Sequence, residues 1–224
     1  MNCPVTQIME IGDSPVDMMV GFSHYDASFA AISHILEQGY RRIGFLGARM
    51  DPRVQRRFEG YRDAMKAASL FDPNLVVTTS VPTTVTLGGT LFADLARQDA
   101  GYRRGVLRQR RPRARRAVRM PAPPDVGSRQ IWPLSASMIW SSWPSAVPSL
   151  TSVRTNRYEM GRHAVTMVID AIEGRRPQEP VLDLGFQLMV RESSTPQSRV
   201  MAAASQRSDR VAGQKMVALS FGSN

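Results

Sequence analysis

Four arginines, Arg49, Arg53, Arg56 and Arg57, gather where a short apolar run ends and a helical pattern begins. The guanidinium group is planar, and its fork of N–H donors matches a carboxylate or a pair of vicinal hydroxyls. Arg57, directly before F-E-G-Y, also admits a plainer reading as a surface helix arginine paired with Glu59 or Asp63. His24, in F-S-H-Y-D, has no second ligand at metal-binding spacing and reads as a hinge or interface residue. Cys3 is the one cysteine. It excludes an internal disulfide, has no neighbour that would activate it as a nucleophile, and fits a reducing cytoplasm. No Ser/His/Asp arrangement, P-loop or G-x-G-x-x-G occurs, so no catalytic residue, metal or cofactor is expected. The chain is not read as an enzyme.

The elements that must hold these arginines follow from local pattern. R-R-I-G-F-L-G-A reads as a buried strand, with Ile43, Phe45 and Leu46 bulky and apolar and Gly44 and Gly47 allowing close backbone approach. Asp51-Pro52 starts the next helix, with a side-chain acceptor at the N-cap and proline in the first turn. Val54, Phe58, Tyr61 and Met65 then recur at helical spacing. Before the strand, Asp26 caps a helix through Gln38, with Phe29, Ile32, Ile35 and Leu36 inward and Gly39 as its stop. Helix, strand, helix is a piece of a doubly wound parallel sheet, and such sheets bind ligands at the carboxyl ends of their strands.

Around this centre, residues 5–11 and 18–22 read as strands joined by a turn at Asp13-Ser14-Pro15. Residues 75–78 read as a strand and 83–96 as a helix weakened by Gly88-Gly89. From Asp99 the pattern collapses. Order resumes with a strand at 150–153 and a helix capped by Asn156 and closed by Gly174. Its apolar side is Met160, Ala164, Met167, Val168, Ala171 and Ile172. Short strands follow at 181–184 and 186–190. From Ser193 the tail is polar and is expected to be disordered.

The 224 residues carry a formal net charge of +10. Between Arg97 and Arg119 lie ten arginines and one acid, Asp99, a balance of +9, so the rest of the chain carries only +1. The basicity is one local run and not a property of a whole domain. No apolar run is long enough to cross a bilayer. The first residues lack the basic and apolar regions of a secretion signal. A cytoplasmic protein with no membrane contact is expected.

G-Y-R-R-I-G-F-L-G-A followed by R-R-F-E-G-Y-R-D-A-M resembles the effector-binding core of the LacI/GalR family of bacterial repressors, in particular its gluconate-repressor type. The likeness continues upstream in I-M-E-I-G-D-S-P-V-D-M-M-V-G-F-S-H-Y-D-A. It returns downstream in P-S-L-T-S-V-R-T-N-R-Y-E-M-G-R-H-A-V-T-M-V-I-D-A-I-E-G and in D-L-G-F-Q-L-M-V-R-E-S-S. Each block is weakly specific, and their order is what makes the match. The resemblance implies an α/β fold, an incomplete periplasmic-binding-protein-like (Rossmann-like) effector domain with an irregular basic segment at about residues 99–145. It implies transcriptional repression as the family function, with a small sugar or sugar acid, gluconate among them, as effector.

Carried over by position, Arg57 matches the arginine that hydrogen-bonds the effector. Thr155 matches the position where the chain crosses between subdomains and lines the cleft, with an ordinary hinge residue as the alternative. Glu10 matches an acidic effector contact, with a solvated strand end as the alternative. Residues 1–22 and 156–180 would form part of an N-terminal subdomain, and 23–98, 146–155 and 181–194 a C-terminal one. Operator DNA and a second copy of the chain are partners of the intact family member, which begins with a helix-turn-helix. That module and the first strands of the N-terminal subdomain are missing here, so exposed apolar surface is expected on the 5–11 strand and the 156–174 helix.

The basic run has its own explanation. One permissible set of codons for Ala100 to Met120, read one base later, gives P-D-T-D-A-V-F-C-G-N-D-D-L-A-L-G-A-R-F-E, which resembles the missing family segment. Residues 128–140, read two bases later, give P-A-D-M-A-I-E-R-F-N-D-L. A shifted reading frame over residues 99–145 is therefore expected, against a solvated basic loop or an arginine-rich nucleic-acid arm. Two other functions compete with the repressor reading. One is the sugar-binding protein of a transporter, which would carry a secretion signal. The other is a basic nucleic-acid-binding module built on Arg103 to Arg119.

Overall fold

The computed structural model describes residues 3–82, 84–98, 133–135, 150–194 and 216–221. Its centre is strand β3 (Arg42–Ala48) and helix α2 (Pro52–Ala67), as the apolar spacing predicts. Asp51 caps α2 by accepting from the Val54 N–H at 3.0 Å, and Pro52 occupies the first turn. Ile43, Phe45, Val54, Tyr61 and Met65 share one core, and the Tyr61 hydroxyl donates to the Ile43 carbonyl at 2.7 Å, locking helix to strand.

Ahead of this unit come β1 (Thr6–Ile8), β2 (Met18–Gly21) and α1 (His24–Glu37). The cap of α1 is Ser23, not Asp26. The Ser23 Oγ accepts from the Asp26 N–H at 3.0 Å, and Asp26 sits in the first turn, where its charge suits the positive end of the helix. Gly39 ends α1 with φ +87, a conformation that side chains resist. Helices α1 and α2 lie against one another, and a Cβ on Gly60 would come within 2.3 Å of the Tyr25 carbonyl oxygen. Gly60 therefore sets how closely the two helices approach.

After α2, a short 3₁₀ turn (Pro73–Leu75) leads into β4 (Val76–Thr79) and α3 (Val85–Gln98), whose Leu91 and Leu95 bury against Leu46, Leu75 and Val77. The later elements are β5 (Pro133–Ser135), β6 (Ser152–Arg154), α4 (Arg157–Ile172), β7 (Val181–Asp183), β8 (Gln187–Met189) and β9 (Met216–Phe221). Two parallel sheets result, β1-β2-β7 and β4-β3-β9-β5, together with an antiparallel pair, β6-β8. The α/β class with parallel strands is the expected one.

Several placements differ from the sequence pattern. β7 pairs with β2, and so shares a sheet with residues 6–8 and 18–21, whereas the resemblance groups 181–194 with residues 23–98. β5 lies within the interval expected to be irregular, and β9 within the tail expected to be disordered. M-V-A-L-S-F alternates in size over too few residues to stand out from a polar tail. Of the shifted-frame segment, only residues 133–135 are described; 99–132 and 136–145 lie outside the described residues. Ile172, expected inward on α4, is exposed, as are Tyr158, Val165 and Ile169 on the same helix and Val5 and Ile8 at β1. The apolar surface expected on those two elements is thus present.

The V-R-E-S-S stretch clamps β6. The Thr151 N–H donates to Ser193 Oγ at 2.8 Å, the Arg191 N–H donates to Thr151 Oγ1 at 2.8 Å, and Arg191 Nη1 donates to Ser152 Oγ at 2.7 Å. Each of these buried hydroxyls accepts a hydrogen bond, as a dry interior requires.

Candidate functional site

Strand β1 ends at Ile8 and β2 at Gly21, so Met9, Glu10, Phe22, Ser23 and His24 all lie at carboxyl ends of parallel strands. β3 ends at Ala48 and feeds α2, which carries Arg57 in its second turn. This is where a parallel sheet presents ligand-binding groups. The backbone there is strained: Met9, Arg49 and Met50 hold φ values of 75, 64 and 48. Non-glycine residues in this region cluster at functional sites.

Arg57 is only 5% exposed, so the surface-arginine reading does not hold. Glu59 pairs instead with Arg56 at 3.4 Å, and Asp63 with Arg62 at 2.8 Å. The Arg57 Nε donates to His24 Nδ1 at 3.0 Å. That bond leaves the ring proton on Nε2, which donates to the Met9 carbonyl at 2.8 Å. The Phe22 ring lies beside the imidazole, centroids 4.3 Å apart. Ser28 Oγ donates to the Arg57 carbonyl at 2.7 Å, so α1 fixes the arginine through its backbone too.

Electrostatics keep the ring neutral, as a bond accepted at Nδ1 requires. Burial, and after it the charge of Arg57, holds the His24 pKa down to about 3, so the ring is neutral. Burial, and after it the charge of Arg53, lowers Arg57 to about 10, with Asp51 opposing. Arg57 therefore remains a cation at neutral pH. Arg53 lies 3.6 Å from the Asp51 carboxylate at the head of the same helix. A nearly buried cation steered by a neutral acceptor suits an anionic ligand, because hydrogen bonds to charged groups strengthen as water is excluded.

His24 is the residue that sequence reasoning undervalued. A hinge or interface reading missed that both its nitrogens are engaged, one of them by Arg57. Nothing in F-S-H-Y-D signals this, because its partners stand fifteen and thirty-three positions away.

Glu10 is half-buried one residue beyond Met9, and its backbone rests on Gly21, where a Cβ would meet the Glu10 carbonyl oxygen at 2.4 Å. Through Met9 and His24, the Glu10 segment is thus joined to Arg57. Thr155 follows β6 and lines a recess of about 460 Å³ formed by Arg154, Thr155, Asn156, Arg157, Tyr158 and Glu159. Among the described residues, no group of His, Cys, Asp and Glu could hold a metal ion, and no helix is long and apolar enough to cross a membrane.

The periplasmic binding protein-like domain family matches residues 141–194. The HTH-type transcriptional regulator GntR of Pseudomonas aeruginosa is 33% identical over 201 residues, which cover 85% of this chain and 55% of that protein. This chain spans about half the length, 55%, of the curated relatives that it matches. The crystal structure of the transcription regulator GntR from Chromobacterium violaceum superposes with a TM-score of 0.65 at 30% identity, over 85% of this chain and 70% of that one. A PurR family transcriptional regulator from Vibrio parahaemolyticus gives a TM-score of 0.63 at 28% identity, over 85% and 69%.

Proposed function

This chain belongs to the LacI/GalR family of transcriptional regulators, and on that premise we propose that it is the effector-sensing portion of a repressor for a small sugar acid. The observation that carries this reading is the buried Arg57 cation, held by neutral His24 at the carboxyl ends of the strands. In this reading Arg57 hydrogen-bonds the effector carboxylate, and His24 keeps the guanidinium plane in position. Glu10 accepts from effector hydroxyls, and Thr155 lines the cleft from the crossing strand. Gluconate, one carboxylate and a run of hydroxyls, fits that donor set.

In the full-length regulator, the effector favours one relative orientation of two subdomains over another. A homodimer's DNA-binding heads then fit their operator differently, with a coupling of about 1–3 kcal/mol typical of such linkage. Operator DNA and the second copy are therefore partners of that longer protein.

Calorimetric titration tests the site. Gluconate is expected to release binding heat with the native chain, and neutral glucose much less. Arg57→Gln is expected to weaken gluconate by about tenfold or more, as loss of a charged hydrogen bond does. Equal affinity in Arg57→Gln, or equal binding of glucose, would overturn the assignment.

We also read residues 99–145 as the product of a shifted frame. Resequencing the gene across that interval is expected to restore N-D-D-L-A-L-G-A. The same printed frame in intact relatives would remove this reading.

A further inference from the structure

Helix α1 reaches distant segments through both of its histidines. Its first residue, His24, holds Arg57 and the Met9 carbonyl. Near its other end, His34 Nε2 lies 2.9 Å from Ser194 Oγ, and Ser194 Oγ lies 2.6 Å from Thr151 Oγ1. Ser194 and Thr151 are buried, at 2% and 0% exposure. Thr151 stands directly ahead of β6, and β6 ends at Arg154, directly before Thr155. Val153 of β6 also packs in the same core as Ala27 and Ala31 of α1. His34 thus reaches, through a buried hydroxyl, the root of the strand that delivers Thr155.

The direction of these bonds follows from proton supply, because each hydroxyl has a single proton to give. The Arg191 N–H donates to Thr151 Oγ1 at 2.8 Å, and Thr151 Oγ1 donates to the Arg191 carbonyl at 3.1 Å. Thr151 then has no proton left for Ser194, so Ser194 supplies the one between them. The Arg191 carbonyl, 3.5 Å from Ser194 Oγ, is too far to compete for it. With its proton committed, Ser194 can only accept from His34, which places a ring proton on Nε2. The chain runs one way, from His34 to Ser194 to Thr151 to the Arg191 carbonyl. Each hydroxyl in it both donates and accepts, and a buried network satisfied in this way holds a single geometry.

We propose that His34 is a positioning residue for the effector cleft: by donating through Ser194 to Thr151, it fixes the start of β6 and so the placement of Thr155. This rests on the reading of Thr155 as a cleft residue. One helix then sets both arms of the site, Arg57 through His24 and Thr155 through His34.

Gluconate titration and amide NMR of the full chain test it. His34→Leu donates nothing, whereas His34→Gln keeps an N–H close to the place of Nε2. His34→Leu is expected to weaken gluconate by about threefold or more and to shift the Thr155 amide resonance, and His34→Gln to restore both. Ser194→Ala, which breaks the chain one step later, should reproduce the His34→Leu result. In a Thr155→Ala background, His34→Leu should change gluconate affinity by less than about twofold, because its effect passes through Thr155. An undiminished loss in that background would reveal a merely structural role and overturn the proposal, as would a His34→Gln chain no better than His34→Leu. If the native chain takes up no gluconate, the effector reading fails on its own, and the amide still decides: a Thr155 resonance indifferent to His34→Leu and Ser194→Ala overturns the positioning role.

Discussion

Arg57 Nε and His24 Nδ1 face one another across 3.0 Å, and the imidazole passes its other N–H to the Met9 carbonyl. One neutral ring thus ties the second turn of α2 to the end of β1. A protonated ring would lose its acceptor and face a guanidinium with like charge.

That relationship makes stability depend on pH. The His24 pKa falls from 6.5 to about 3 on folding, so between these values the unfolded chain binds a proton that the folded chain refuses. The contribution is complete above pH 6.5 and is lost as pH falls towards 3, at about 1.4 kcal/mol per pH unit. Urea denaturation at pH 7 and pH 5 should show this slope, and His24→Gln should flatten it. An unchanged slope in the variant would remove His24 as its source.

Truncating the acceptor leaves the Arg57 Nε buried without its partner. His24→Ala is expected to destabilise by about 1–3 kcal/mol. Adding Arg57→Met should cost little more, giving a coupling energy above about 0.5 kcal/mol in a double-mutant cycle. Strict additivity would mean that the two side chains do not act as a pair.

Gly60→Ala tests the contact between α1 and α2. Alanine gains about 1 kcal/mol in helix propensity over glycine. The added Cβ, however, meets the Tyr25 carbonyl at 2.3 Å, which is backbone and cannot swing aside. A net loss of about 1–3 kcal/mol is expected from thermal or urea unfolding. A stabilised variant would show that the helices can separate freely.

Ser69→Gly should do the reverse. Ser69 ends α2 with φ 57, its N–H donates to the Lys66 carbonyl at 2.8 Å, and the Leu70 N–H donates to that of Met65 at 2.8 Å. This is a left-handed helix stop carrying the wrong residue. Glycine there is expected to raise stability by about 1 kcal/mol, read as a higher urea midpoint at unchanged slope.

How much of this was legible in the residues differs by element. The β3–α2 unit was readable because Ile43, Phe45, Val54, Tyr61 and Met65 follow two clean periods and Asp51-Pro52 marks the join. Helix α1 was readable too, but its cap was misplaced by three residues, since serine and aspartate both suit that end. Arg57 stood out in the sequence as a candidate binding group through its neighbours and its family likeness. Its burial was not, because four clustered arginines look solvated in sequence and only the fold decides which one turns inward. His24 depended entirely on contacts between distant segments. β9 escaped for a related reason: six residues of ordinary polarity pattern reveal nothing about the strand they will lie beside.

Because β9 lies between β3 and β5, that sheet closes through residues far along the chain from β3, and pairings between such distant segments form slowly. Any folding intermediate that has not yet recruited β9 therefore carries a bare margin on β3, open to pairing with other chains.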